Sequence, residues 1–210
     1  MKLKEFLSVR AIEFDSVNIL EDQEGLPELR RLGARSIPVL SRGDKWTFAQ
    51  NIGHVVKFLG LNEATGPALT APQLIERLDL FLSAAIRNVP LMPDALLEKE
   101  VPNRPRSYRI LSHHIFRIAD SFLHSVENNV DYAVGDANKP PEDGTCLTGE
   151  DIAQFGEGVI AHLEKWWAAQ ADKSLKAEIP TYYGKQPMHV VFERSTWHSA
   201  QHGRQLIHVL

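Results

Sequence analysis

The sequence predicts a two-domain α+β chain, and three observations carry that reading. Short runs of strand-forming residues are confined to residues 1–62. A small, polar stretch with two prolines and two glycines follows, from Gly60 to Pro72 (GLNEATGPALTAP). Beyond it the strand signals stop, and four long segments carry apolar residues at helical spacing. The expected architecture is an α/β domain over residues 1–62, a linker over 63–71 and an antiparallel four-helix bundle over 72–210.

Within the first domain, residues 2–10 (KLKEFLSVR) read as the end of an amphipathic helix with Leu3, Phe6 and Leu7 on one face. Ile12, Phe14, Val17 and Ile19 predict a short strand. The segment from Asp22 to Leu32 reads as a capped helix that turns Leu29 and Leu32 inward. A strand opens at Ile37-Pro38, and Lys45-Trp46-Thr47-Phe48 forms a second after the turn Arg42-Gly43-Asp44. Asn51 to Leu61 closes the domain as a helix with Gly60 near its end.

In the second domain a helix starts near Pro72 and runs to Val89, with Leu74, Leu78, Leu80, Phe81 and Ala85 as its apolar residues. Residues 90–106 are irregular, with a short helical piece at most. Ser107 to Val126 is the second helix, and residues 127–147 form a polar loop rich in Asn, Asp, Pro and Gly. Thr148, with acid in the turn that follows, caps a third helix ending near Ala171. The fourth begins near Pro187.

Composition narrows the function classes. A net charge of −4 argues against a nucleic-acid or anionic-membrane partner held by a broad basic field. No apolar run approaches the ~20 residues that span a bilayer. The start, MKLKEFLSVRAIEF, has only Phe6-Leu7 before polar residues return, so it does not read as a signal peptide. The single cysteine, Cys146, precludes an intramolecular disulfide framework and agrees with a reducing cytoplasm. It sits in a polar loop with no histidine close in sequence, which makes it an unactivated thiol rather than a nucleophile.

The chemistry concentrates in the last helix, ERSTWHSAQHGRQLIHVL. His198 and His202 stand four apart, so both imidazoles leave one helix face with Cβ atoms roughly 5–6 Å apart. Two neutral imidazoles at that spacing can grip one divalent cation. Nine histidines in 210 residues produce such pairs by chance, so the spacing alone leaves open a pair of partly exposed helix histidines. A third ligand must come from elsewhere. On the second helix Leu111, Ile115, Ile118 and Phe122 form an apolar stripe that His114 borders, whereas His113 projects to the opposite side and is expected to meet solvent. The ordinary role for a histidine placed like His114 is a core-edge residue satisfied by a carbonyl. His162, flanked by Phe155, Val159 and Trp166, is expected to support the site or the core without ligating.

Two resemblances rest on these residues. Ser36-Ile37-Pro38-Val39-Leu40 and the stretch VLSRGDKWTF, in a helix–strand–helix–strand–strand–helix order, resemble a glutaredoxin of the NrdH type. The first domain is then a thioredoxin-like fold lacking its first strand, with Pro38 at the family's cis-proline position. Trp46-Thr47-Phe48 departs from that family's Trp-Ser-Gly-Phe, and neither its first strand nor its Cys-x-x-Cys is present. The expectation is that Met1 is an internal methionine of a longer reading frame; the alternative is a domain that has lost redox chemistry. In the second domain, a histidine on the second helix and H-x-x-x-H on the fourth resemble the DinB/YfiT superfamily of four-helix metalloproteins. His202-Gly203-Arg204-Gln205-Leu206 is similar to that family's His-Arg-Gly-Gln-Leu ending, with Gly and Arg exchanged.

The second resemblance implies a divalent metal held by His114, His198 and His202, with His113 kept by the doublet as the alternative to His114. Three imidazoles leave a coordination position open, the catalytic arrangement. Zn2+ or Ni2+ suits imidazole best, with iron as a further candidate. Related members are transferases or isomerases that use a low-molecular-weight thiol, which makes glutathione or a similar thiol the expected cofactor and a small molecule the expected substrate. A non-enzymatic metal or thiol sensor is the alternative reading. Gln205 falls on the face of His202 and is expected to support it. Tyr182, Tyr183 and Trp197 are candidates to line the pocket, with core packing as their default. Arg104, Arg106 and Arg109 precede or open the second helix and could meet a substrate carboxylate, though a solvated basic patch is the plainer reading. Homodimerisation through the bundle is left open.

Overall fold

The computed structural model describes residues 3–19, 21–35, 37–49, 51–63, 69–102, 104–132, 137–182 and 184–207. The chain divides into two compact units, Met1–Ala68 and Leu69–Leu210.

The first unit combines helices α1 (Leu3–Val9), α2 (Gly25–Arg31) and α3 (Ile52–Leu59) with strands β1 (Val39–Arg42) and β2 (Lys45–Phe48). The strands pair antiparallel, Val39 opposite Phe48 and Arg42 opposite Lys45. Gly43 (φ +59°) supplies the positive φ that a two-residue hairpin loop needs at its first position. The Ile37–Pro38 peptide is cis. Asn51 caps α3 by accepting from the Gly53 N–H at 2.7 Å, and Gly60 ends it in the left-handed region. Phe6, Leu7, Ala49, Val55 and Val56 form the core, with Ile12 and Phe14 packed on it.

The strand expected over residues 12–19 does not form. Among the described residues β1 and β2 pair only with each other, so this segment has no ladder. Apolar burial holds it instead, and it passes so close to α2 that a Cβ on Gly25 would lie 2.7 Å from Val17 Cγ1.

The second unit is built on α4 (Ala71–Asn88), α6 (Tyr108–Asn128), α7 (Gly149–Ala169) and α8 (Met188–Ile207). A 3-10 turn (Val89–Leu91) and the short α5 (Asp94–Leu97) lie between α4 and α6. Thr70 with Gln73, and Thr148 with Asp151, form capping boxes at α4 and α7, while the Ser107 hydroxyl accepts from the Ile110 N–H at α6. Strands β3 (Glu178–Ile179) and β4 (Gln186–Pro187) pair antiparallel just before α8. No helix among the described residues is long and apolar enough to cross a membrane.

Both α4 and α6 pack against α7 and α8. Leu74, Leu78, Leu82, Leu111, Ile115, Phe116, Phe122 and Phe192 are wholly or almost wholly buried between them. Each contributes about 1.5–3 kcal/mol by leaving water. Phe122, Trp166 and Phe192 meet ring to ring, with centroids 4.9–6.2 Å apart. The buried face of α4 runs through Ala71, Leu74, Leu78, Leu82 and Ala85; Leu80 points to solvent, since it lies off that 3.6-residue stripe.

Candidate metal centre

Helices α6 and α8 bring the three sequence-predicted histidines together. Ser195 and Ser199 are fully buried on α8. The Ser195 hydroxyl donates to the Tyr132 hydroxyl at 3.1 Å, and the Ser199 hydroxyl donates to the Ile115 carbonyl at 3.0 Å. That bond fixes α8 against the turn of α6 next to His114. The ring centroids of His114, His198 and His202 then lie 4.8–5.2 Å apart pairwise. One nitrogen from each lies within 4.8 Å of the others.

Hydrogen bonds select which nitrogens face one another. His114 donates from Nδ1 to the Ala137 carbonyl at 2.6 Å, which leaves its Nε2 lone pair free. The His202 Nδ1 is 2.9 Å from Gln205 Oε1 and donates to it, again freeing Nε2. Nε2 of His202 and Nε2 of His198 are 3.0 Å apart. Two nitrogens on one ion at about 2.1 Å are themselves about 3.0–3.4 Å apart, so this pair already stands at ligand spacing. Metal-free, the same contact is an N–H···N hydrogen bond given by His198.

Electrostatics keep the rings neutral, as ligation requires. Burial is the main cause in each case: it pushes His114 down to about 3 and His202 to about 4, and holds His198 well below its ordinary value. Repulsion from His202 adds to the effect at His114 and His198. Neutral imidazoles gathered with one nitrogen each within 4.8 Å of the others form a donor set that fits a divalent cation of the Zn2+ or Ni2+ kind.

Comparison of the chain with protein-family models, with curated proteins and with solved structures finds no match. The functional reading therefore rests on this geometry and on the residues themselves.

The other expected residues divide. Gln205 supports His202 directly. Trp197, half-buried, packs its ring against Phe81 of α4, 6.2 Å between centroids. Tyr183 lies outside the described residues. His162 does not join the three ligands; its Nε2 is 3.0 Å from both carboxylate oxygens of Glu127, beside a surface hollow lined by Lys165, Trp166 and Met188. Cys146 is half-buried, and burial first, then Asp151, pushes its thiol up, away from reactivity at neutral pH.

His113 is a correction. It was expected in solvent and is 6% exposed, stacked on Phe155 of α7 at 4.8 Å, with Nδ1 buried and unbonded. Helix α6 is covered by α7 on one side and α8 on another, so both faces of the doublet are buried. His113 faces the aromatic side and His114 the imidazoles.

The arginines of PNRPRSYR also separate. Arg109 pairs with Glu98 at 2.9 Å, and Arg104 is exposed. Arg106 turns to the site, its Nη2 at 3.4 Å from His202 Nδ1. That nitrogen carries the proton given to Gln205, so it cannot accept from Arg106.

Proposed function

We propose that the second unit is a four-helix bundle of the DinB/YfiT kind that holds a divalent metal on His114, His198 and His202 and acts on a low-molecular-weight thiol, as a transferase or isomerase. The observation that carries this reading is the convergence of three neutral imidazoles, two of them held in the tautomer that presents Nε2, with the His198–His202 Nε2 pair at 3.0 Å. Three protein ligands leave an open position. When bound, the cation supplies a Lewis acid that lowers the pKa of a thiol or water brought to it.

The chain's own residues supply orientation. The Ala137 carbonyl and the Gln205 amide hold two rings in the tautomer that presents Nε2. Trp197, next to His198 on α8, packs on Phe81, and His198 itself is half-buried. The first unit, with its β1–β2 hairpin and cis Ile37–Pro38, belongs in this reading to the thioredoxin-like class of the glutaredoxins. It carries no Cys-x-x-Cys, and no dithiol chemistry is assigned to it.

One observation favours a second reading, a metal or thiol sensor. Among the described residues the charged groups acting on the three imidazoles are other histidines and Arg104, Arg106 and Arg194, none of them a carboxylate that would serve as a general base. Metal-loaded protein screened with glutathione-type thiols and small electrophiles separates the two. Thiol consumption above the chelated control supports the enzyme; thiol binding without turnover supports the sensor.

A further inference from the structure

Arg106 is the charge at this site that the histidines do not explain. It is half-buried, and its Nε is shut off from solvent with no hydrogen-bond partner. Among the described residues no carboxylate forms an ion pair with it, whereas Arg109, three residues on, pairs with Glu98. Its Nη2 rests 3.4 Å from a ring nitrogen that offers it no lone pair. A desolvated guanidinium with unused donors is costly unless something anionic completes it.

A cation on three neutral imidazoles would keep its full double positive charge, and Arg106 adds a third at the Nδ1 edge of the His202 ring. Two cations at opposite edges of one ring repel, and an anion that reaches both relieves the repulsion. We propose that the site takes a small organic carboxylate bound at two points, one donor of the ligand on the metal held by the three histidines and its carboxylate on Arg106. The planar guanidinium of Arg106 presents a two-pronged edge matched to the two oxygens of a carboxylate. This inference rests on the metal reading above and narrows its substrate class to thiols or electrophiles that carry a carboxylate.

The test uses the full chain loaded with Co2+, whose visible absorption reports ligands entering the metal's open position. Mercaptoacetate and 2-mercaptoethanol are compared as probes on the wild type, Arg106→Gln and Arg106→Lys. Mercaptoacetate should bind the wild type at least tenfold more tightly than 2-mercaptoethanol. Arg106→Gln should abolish that preference, leave 2-mercaptoethanol within twofold, and tighten Co2+ itself because a neighbouring positive charge is gone. Arg106→Lys should restore part of the preference. A purely structural role for Arg106 would instead loosen Co2+ and both thiols together, and that result overturns the proposal, as does an unchanged preference in Arg106→Gln. Inorganic phosphate displacing mercaptoacetate more strongly than acetate does would also overturn it in favour of a phosphate site. A wild type that takes up no Co2+ overturns the metal reading and this one together, whereas Co2+ uptake without a carboxylate preference overturns this one alone.

Discussion

Gln205 accepts from His202 across 2.9 Å, Nδ1–H to Oε1, and so turns the far nitrogen of that ring toward His198. The bond reaches back less than one turn of α8, so a single helix carries two ligands and the group that orients one of them. Gln205→Leu removes the acceptor and frees the tautomer. Metal affinity should fall about 10- to 100-fold, the usual loss when such a partner is removed. Competition against a chromophoric chelator measures it, and the far-ultraviolet circular dichroism should not change.

Metal removal should cost stability as well as occupancy. An ion that binds only the folded chain, at a free concentration near 1,000 times its Kd, stabilises by about 4 kcal/mol. For a unit of this size the shift in melting temperature is on the order of 10 °C. Calorimetry with and without chelator reads it, and a melting curve indifferent to chelator would oppose the account.

The metal-free protein should weaken in mild acid. Burial holds His113 and His202 down to about 4 and His114 to about 3, against an ordinary value near 6.5. The unfolded chain therefore binds more protons than the folded one below pH 6.5. Stability is full above that pH, falls as the pH drops toward 4, and levels once the folded rings are also protonated. Urea midpoints at pH 7.5, 6 and 5 should decrease in that order, and His113→Phe, which cannot take up a proton, should flatten part of the slope.

Packing on the other face of α6 is equally specific. A Cβ built on Gly156 of α7 would lie 2.5 Å from Phe116 Cε1, and Phe116 is fully buried. Alanine gains about 0.5–1 kcal/mol over glycine within a helix. Overpacking a filled core costs about 1–3 kcal/mol, so the clash wins. Gly156→Ala should lower the urea midpoint, whereas Gly158→Ala, with nothing within 4 Å of its Cβ, should hold or raise it.

What was legible in the sequence follows from local rules. The i, i+4 pair His198–His202, the apolar stripe beside His114 and the cap at Thr148 are each visible within a few residues of one another. Contacts across the chain were not. The Ala137 carbonyl that orients His114 comes from 23 positions away, after a stretch of sequence with no apolar periodicity. The burial of His113 depends on Phe155, which a single stripe on α6 does not foretell, because two neighbouring helices cover two of its faces. Residues 12–19 have the composition of a strand, but composition does not provide a partner. Arg106 was one of three arginines, and only placement separates it from Arg109, which Glu98 engages, and from the exposed Arg104.

His114, His198 and His202 are proposed to share one cation. Mass spectrometric metal analysis, after equilibration with Zn2+ and removal of excess, should give one ion per chain for the wild type. His114→Ala, His198→Ala and His202→Ala should each lose it while retaining the wild-type circular dichroism. Stoichiometric metal surviving in any of the three folded variants, or a wild type that retains none, would contradict the account.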